Sequence, residues 1–208
     1  MVEIAAPARS PRAERTRSAL LDAGFELMVE RPIDGIPIDE LVAKAGVAKG
    51  SFFNHFNDKY EFAAAVANEV RCEVEDLVTQ SNAGISNPLA RLVGGMQVAA
   101  RFALEHPRRS AILLRNTTRS TASDHPLNKG LHADIMAAYD QGLIRPEARQ
   151  SGVLYWLGLC QILMANLIEA EDQGSRSASL IRNMLVLGLA GLGVPPDQIG
   201  QLVDIEAT

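Results

Sequence analysis

The sequence predicts an all-α protein, with a small N-terminal helix-turn-helix domain of three helices followed by a larger C-terminal helical domain. Apolar residues recur at intervals of three and four along most of the chain, as they do on one face of a helix. No stretch alternates apolar and polar residues between turn signals, as a half-buried strand would. With 208 residues, of which 47% are hydrophobic and 22% charged, the chain can form a packed core.

The N-terminal elements are predicted as follows. Residues 1–11 contain two prolines and are expected to form a disordered arm. A first helix over 12–30 buries residues such as Leu20 and Leu27, and it ends before Pro32. A short second helix begins near Ile38. Gly46 supplies the left-handed residue of a tight turn, and a third helix covers about 48–55.

The fourth helix is predicted over 58–80, because Asp58 and Glu61 have the spacing of a capping box. Five more helices follow, which makes about nine in all. They cover 88–105, a segment around 111–114, 127 to about 142, 146 to about 172, and 177–193. Residues 117–126 are predicted to be a loop. We expect the domain boundary at 57/58, so that 12–57 form one domain and 58–208 the other.

Several functional classes are disfavoured by the residues. Cys72 and Cys160 lie far apart without CxxC spacing, which indicates neither a disulfide framework nor a zinc site. His125, His132 and Asp134 lack the spacing of metal ligands, and the histidines form no catalytic constellation, so we predict no enzyme, no metal and no cofactor. The apolar run 153–168 is too short to span a bilayer, and no secretory leader is visible, which predicts a cytoplasmic protein without a membrane partner.

The segment around Gly46 predicts contact with DNA. Two short helices joined by Ala45-Gly46-Val47 form a helix-turn-helix, a unit that presents its second helix to the major groove. Phe52 and Phe56 are four apart and can enter the core together. This arrangement leaves the polar residues of the third helix exposed.

The exposed residues have the chemistry of a duplex contact. Asn54 is of the type that reads adenine, Lys49 can reach guanine or a phosphate, and Gly50 permits close backbone approach. Arg9, Arg12, Arg15 and Arg17 add four positive charges near the N-terminus, and a flexible arginine arm of this kind often follows the minor groove or the backbone. The net charge of -5 does not oppose this reading, because binding depends on the local patch. The predicted DNA-binding residues are Arg12, Arg15, Lys49, Gly50, Ser51, Phe53, Asn54, His55 and Lys59. The alternatives are a helix pair without DNA contact and a solvated arginine tail.

The segment LVAKAGVAKGSFFNHFNDKYEF (41–62), within residues 15–62, resembles the DNA-binding domain of the tetracycline-repressor (TetR) family. The resemblance implies a homodimeric transcription regulator, most often a repressor, that binds a palindromic operator and is released by a small-molecule effector. Three positions depart from the family pattern. Ala48 replaces the usual serine cap, Pro37 replaces a threonine that touches a phosphate, and Phe53 replaces a tyrosine. A dimeric small-molecule or protein-binding module with weakened DNA affinity is therefore the alternative function.

The C-terminal half would supply dimerisation. Residues 153–168 and 184–194 are apolar nearly all round, which indicates burial on two sides. Two such helices from each subunit would form a four-helix interface, and the resemblance implies the same arrangement. The alternative is a monomer whose termini cover one side of these helices. The predicted interface residues are Leu157, Leu163, Leu167, Leu185, Gly188, Leu189 and Leu192.

The resemblance also implies a small-molecule pocket among the middle helices, for an effector that the sequence does not identify. The candidates are Phe102, Leu113, Asn116, His132, Met136, Tyr139, Trp156, Cys160 and Met164. A plain hydrophobic core is the alternative reading of these residues. Charged residues such as Asp134 would either orient a polar ligand or lie at the surface.

Overall fold

The computed structural model describes residues 11–115, 125–169 and 174–204. These residues form ten α-helices and two short 3-10 turns, and no strand occurs within these ranges. The all-α prediction is therefore confirmed. The chain divides into two compact units, residues 1–68 and 69–208, with the boundary inside the fourth helix rather than before it.

The first unit contains α1 (Pro11–Glu30), α2 (Ile38–Ala45), α3 (Lys49–Phe53) and the beginning of α4 (Lys59–Ser81). A 3-10 turn at Ile33–Gly35 joins α1 to α2. The predicted bounds of α1 and the predicted start of α2 agree with the structure to within one residue. The prediction for α3 is wrong at its C-terminal end, because the helix stops at Phe53 and not at His55.

The start of α4 follows the predicted capping chemistry in part. Asp58 Oδ1 accepts hydrogen bonds from the backbone N–H groups of Tyr60 at 2.8 Å and Glu61 at 2.7 Å. The reciprocal bond of a capping box would return from Glu61 to Asp58. Here Glu61 Oε2 instead accepts from the backbone and side chain of Asn57, at 2.8 and 2.7 Å.

The second unit contains the rest of α4 and six further helices. They are α5 (Pro88–Glu105), α6 (Pro107–Arg115), α7 (Lys129–Asp140), α8 (Ala148–Glu169), α9 (Ser175–Gly191) and α10 (Pro196–Asp204), with a 3-10 turn at Pro126–Asn128 before α7. The helix α8 packs against α5, α6, α7 and α9 and forms the centre of the unit. Most of the predicted loop 117–126 lies outside the described residues.

The first residues of α5 and α10 show how the sequence marks the start of a helix. Asn87 Oδ1 accepts from Leu89 N at 2.9 Å and Pro88 occupies the first turn, so α5 begins where it was predicted. The helix α10 was not predicted, although Pro196 and Asp197 are typical of a first helical turn. Its residues Ile199 and Val203 are buried and lie four apart.

Candidate nucleic-acid interface and candidate ligand cavity

The turn between α2 and α3 has a backbone geometry that depends on glycine. Gly46 has φ +67° and ψ +30°, a left-handed conformation that other residues adopt at a cost. The N–H of Gly46 donates to Ala43 O, and that of Val47 donates to Val42 O at 3.0 Å. This pair of bonds is the Schellman motif, which ends α2 and redirects the chain into α3.

A cluster of three phenylalanine rings holds the buried side of α3 in place. The ring centres of Phe52 and Phe56 lie 5.6 Å apart, and that of Phe62 lies 5.4 and 5.0 Å from them. All three rings are buried, which confirms the prediction that Phe52 and Phe56 enter the core. A Cβ atom at Gly24 of α1 would lie 2.2 Å from the Phe62 ring, so this glycine provides the room for the cluster.

The opposite side of α3 is exposed. Phe53 has 51% of its surface accessible, and Lys49, Gly50 and Asn54 are also exposed. Asn54 is the C-cap of α3: its backbone has right-handed helical angles and its N–H donates to Gly50 O, so its side chain extends from the last turn of the helix. The predicted residues Ser51 and His55 are half-buried. A short segment thus combines amide, cationic and aromatic groups at the surface.

Lys49 carries an acidic partner. Its Nζ lies 2.8 Å from Asp39 Oδ1 of α2, and both side chains are more than half exposed. Exposed pairs of this kind contribute about 0–1 kcal/mol, so the lysine can exchange the carboxylate for another anion at little cost. This ion pair was not predicted from the sequence.

Lys59 is held at the edge of the same unit. Its Nζ donates to the backbone oxygen of Asp34 at 3.0 Å. The neighbouring Tyr60 donates its hydroxyl to Asp34 Oδ1 at 2.8 Å, and this hydrogen bond raises the pKa of the Tyr60 phenol. The ammonium group of Lys59 is therefore positioned at the N-terminus of α4, where the helix dipole is positive.

The predicted arginine arm requires a correction. Because α1 begins at Pro11, Arg12, Arg15 and Arg17 belong to a helix and not to an arm. Arg12 and Arg15 are exposed, whereas the Arg17 guanidinium lies 5.7 Å from the centre of the Phe56 ring. Arg9 and the rest of residues 1–10 lie outside the described residues.

The second unit contains a cavity of about 340 Å³. Its volume falls within the usual range for small-molecule pockets. Four of the predicted pocket residues line it, namely Leu113, Trp156, Cys160 and Met164. Asn116 lies outside the described residues. The remaining predicted residues, Phe102, His132, Met136 and Tyr139, are not part of its lining.

The three predicted pocket residues on α7 lie outside the cavity lining for the same reason. His132, Met136 and Tyr139 follow a spacing of four and three, so they share a face of the helix. The cavity is lined by the other face, which includes Leu131 and Asp134. The sequence identified the helix but not the face that it presents.

An ion pair between two helices lines one side of the cavity. Arg91 of α5 contacts Asp134 of α7 through Nε at 2.6 Å and through a terminal nitrogen at 2.5 Å. Its other terminal nitrogen donates to Ile85 O at 2.9 Å. Burial raises the pKa of the Asp134 carboxyl, against the opposing effect of Arg91.

A second pair lies on α4. A terminal nitrogen of Arg71 lies 2.5 Å from Glu75 and donates to Asn128 Oδ1 at 2.9 Å. Burial raises the pKa of Glu75, although Arg71 opposes this effect. Arg71 is 8% exposed, and its Nε has no hydrogen-bond acceptor among the described residues. Neither Arg71 nor Glu75 was predicted as a site residue, although a charged pair four apart on an apolar helix face was a visible signal.

The remaining chemistry of the cavity is apolar or weakly reactive. Burial raises the pKa of the Cys160 thiol to about 12, so that this cysteine is protonated at neutral pH. The residues that the structure describes contain no group of three or more histidine, cysteine or acidic side chains placed to hold a metal ion.

The predicted dimer-interface residues lie inside the chain's own core. Leu157, Leu163, Leu167, Leu185, Gly188, Leu189 and Leu192 are all buried within one subunit, so they are not available to a second one. The exposed apolar side chains of α8 and α9 are instead Leu154, Tyr155, Ile162 and Leu187, of which the first, third and fourth are at least 60% exposed. Tyr155 donates its hydroxyl to Leu187 O at 3.3 Å, which joins the two helices in one surface, here called the α8–α9 face.

The apolar run 153–168 within α8 was predicted to be too short to span a bilayer, whereas α8 as a whole is, by length and composition alone, long and apolar enough to cross a membrane. Core helices of helical proteins have the same length and composition, and α8 packs against four other helices of its unit. The helix is apolar on all sides because one side faces the core and another carries the exposed residues of the α8–α9 face.

Comparison with known proteins supports the family resemblance. Residues 20–66 match the family described as bacterial regulatory proteins, tetR family. A protein from Shewanella sp. PV-4 assigned to the tetR family of transcription regulators aligns with a TM-score of 0.74 and 16% identity, over 85% of this chain and 97% of its own.

Two further similar structures contain bound molecules. RolR in complex with resorcinol aligns with a TM-score of 0.64 and 18% identity, over 96% of this chain and 98% of its own. AibR in complex with isovaleryl coenzyme A and operator DNA aligns with a TM-score of 0.60 and 20% identity, over 86% and 99%. Residues 20–66 therefore match the model of this family, and the chain as a whole shares the fold of these solved structures.

Proposed function

We propose that the protein is a homodimeric, cytoplasmic DNA-binding regulator that represses transcription from a palindromic operator and is released by a small molecule. The observation that carries the proposal is the construction of α3. Its apolar side is fixed by three buried rings, whereas its other side exposes Lys49, Gly50, Phe53 and Asn54. A helix held in this way can enter the major groove as a rigid element.

Each exposed group has a role in the proposed complex. Asn54 pairs with an adenine edge, and Phe53 lies against a sugar or a thymine methyl group. Lys49 exchanges Asp39 for guanine or a phosphate. Ser51, His55 and Lys59, together with Arg12 and Arg15, contact phosphates that fix the position of the domain on the duplex. AibR, which has the same fold, forms a complex with operator DNA, and this supports the assignment.

A second copy of the chain is proposed to cover the α8–α9 face. Leu154, Ile162 and Leu187 expose large aliphatic side chains on neighbouring helices, and burying such surface against an identical copy is favourable. A twofold pair would present two copies of α3 to DNA half-sites about 34–36 Å apart. An inverted repeat in the operator follows from that symmetry.

The cavity in the second unit is proposed as the effector site. RolR and AibR, which share the fold, are described with resorcinol and with isovaleryl coenzyme A. The helix α4 contributes Lys59 at its start and cavity residues such as Arg71 and Val74 further along. A ligand that favours one arrangement of the cavity helices would turn α4 and change the separation of the recognition helices, which would release the operator.

Selection from a library of random 30-base-pair duplexes tests the proposal. The full-length chain should enrich an inverted repeat, and binding to it should weaken steeply with salt because phosphate contacts release counterions. Placed over a promoter, the enriched sequence should lower transcription when the protein is added. Enrichment of no sequence, with salt-independent binding, would refute DNA regulation. That result would instead favour a dimeric binding module, for which the residues at Pro37, Ala48 and Phe53 give some support.

A further inference from the structure

We propose that the cavity of the second unit selects an uncharged, mainly apolar molecule that carries a hydrogen-bond acceptor, such as a ketone, ester or lactone oxygen, and that Arg71 Nε is the donor that recognises it. The inference rests on the proposed function in treating the cavity as a ligand site, and it adds the chemical class of the ligand.

The charges of the cavity already balance. Its two arginines, Arg71 and Arg91, each contact a carboxylate at 2.5 Å, those of Glu75 and Asp134. The cavity residues Thr79, Asn82 and Gln161 are uncharged. A charged ligand would therefore enter without a free counter-charge, and burying an unpaired ion is costly. The raised pKa values of Glu75 and Asp134 indicate that burial already disfavours negative charge here.

The two arginines differ in what they leave available. All three nitrogens of Arg91 are engaged, by Asp134 and by backbone oxygens of the α4–α5 connection. Arg71 directs a terminal nitrogen to Glu75 and Asn128, while its buried Nε has no acceptor within the described part of the chain. A buried donor without an acceptor is unfavourable, so a ligand oxygen that meets it gains a charge-assisted hydrogen bond.

The remaining lining residues determine what kind of carbon skeleton the ligand can have. Aliphatic side chains from α4, α5, α6 and α8 surround the space, together with Trp156 and Met164; the aliphatic ones include Val74, Val78, Leu92, Leu113, Leu114 and Leu157. A compact hydrocarbon skeleton gains the most from such walls. Because Trp156 is the single tryptophan of the chain and lines the cavity, its fluorescence reports occupancy directly.

The test compares two probes of similar shape, 4-tert-butylcyclohexanone and 4-tert-butylcyclohexanecarboxylate, by titration of Trp156 emission at pH 7.5 without DNA. We expect the ketone to bind at least tenfold more tightly than the carboxylate. In Arg71→Lys, which keeps a positive partner for Glu75 but removes Nε, the affinity for the ketone should fall about tenfold.

Two controls separate recognition from general effects. Arg109→Lys changes an arginine that contacts Glu73 at 2.6 Å but does not line the cavity, and it should alter ketone affinity less than twofold. Gly95→Val adds a side chain within the lining and should abolish binding of the ketone. The wild-type preference between the two probes can be measured even if Arg71→Lys fails to fold.

The inference is overturned if the carboxylate binds as tightly as the ketone, if Arg71→Lys keeps the full affinity for the ketone, or if neither probe changes Trp156 emission. Binding of the ketone without any change in DNA affinity would support the inference and refute regulation by this cavity. Failure of DNA binding with intact ketone binding would refute the proposed function alone.

Discussion

The two units of the chain carry their candidate sites in opposite ways. In the first unit all of the candidate residues except Arg12 and Arg15 lie within about ten positions of each other, between Lys49 and Lys59, and many of them are exposed. In the second unit the charged residues of the cavity come from α4, α5 and α7, and Arg71 is buried. The proposed DNA-contacting surface is assembled mainly from neighbouring residues, whereas the cavity exists only after distant helices have packed. Substitutions in the first unit can therefore separate binding from folding more readily than those in the second.

The largest difference in stability is expected between substitutions of two adjacent phenylalanines. Phe52 is fully buried among three rings, so Phe52→Ala should lower the free energy of unfolding of the first unit by about 3–5 kcal/mol. Phe53 is 51% exposed, so Phe53→Ala should change the free energy of unfolding by less than about 0.5 kcal/mol. The same substitution should weaken DNA binding. Urea denaturation, monitored by circular dichroism, measures the free energy of unfolding of both variants. Equal losses of stability would mean that Phe53 is part of the core.

Alanine substitutions at two glycines compare how tightly the two units are packed. At Gly24 an added Cβ would lie 2.2 Å from the Phe62 ring, so Gly24→Ala should destabilise the first unit by about 1–3 kcal/mol. At Gly95 the nearest atom, of Val78, would be at an ordinary 3.5 Å, so Gly95→Ala should stabilise α5 by about 0.5–1 kcal/mol. Thermal unfolding of both variants checks the signs. A stabilising Gly24→Ala would contradict the tight packing around Phe62.

The α8–α9 face is tested by added charge. Ile162→Glu or Leu187→Glu would place a carboxylate in the proposed dimer contact and should raise the dimer dissociation constant at least about tenfold. Leu77→Glu, at another exposed leucine on α4, is the matched control and should leave it unchanged. Sedimentation velocity over a range of concentrations gives the answer. A dimer that tolerates both changes would show that another surface is used.

The smallest expected effect concerns the partner of Lys49. Asp39→Asn removes the carboxylate 2.8 Å from Lys49 Nζ and a negative charge near the proposed phosphate contacts. DNA affinity at low salt should rise by up to about fivefold, the range expected of an exposed pair. In a Lys49→Ala background the same change should give a smaller gain. An equal gain in both backgrounds would mean that Asp39 acts on the DNA without Lys49.

The predictive power of the sequence depended on the distance over which the information acts. The turn at Gly46, the cap at Asp58 and the start of α5 at Asn87-Pro88 were visible because each depends on neighbours within a few residues. The end of α3 was misplaced by two residues. The helix α10 was missed despite Pro196, whose signal is also short-range.

The sites in the second unit could not be predicted to the same degree. The leucines of α8 and α9 were assigned to a dimer interface because an all-round apolar helix does not reveal which side faces the subunit core. Leu157 and Leu189 proved to be buried, whereas Ile162 and Leu187 are exposed. The cavity depended on the face that α7 presents and on the contact of Arg71 with Asn128, which lies 57 residues away in the sequence. Such facts arise from tertiary packing.

The most direct measurement of the central claim compares Asn54→Ala and Lys59→Ala on the selected operator and on a scrambled duplex by fluorescence anisotropy across a salt series. If the segment from Lys49 to Lys59 faces the duplex, Asn54→Ala should reduce the preference for the operator about tenfold and leave binding to scrambled DNA unchanged. Lys59→Ala should weaken both duplexes equally and lower the salt dependence by about one counterion. Unchanged binding of both variants to both duplexes would contradict the claim.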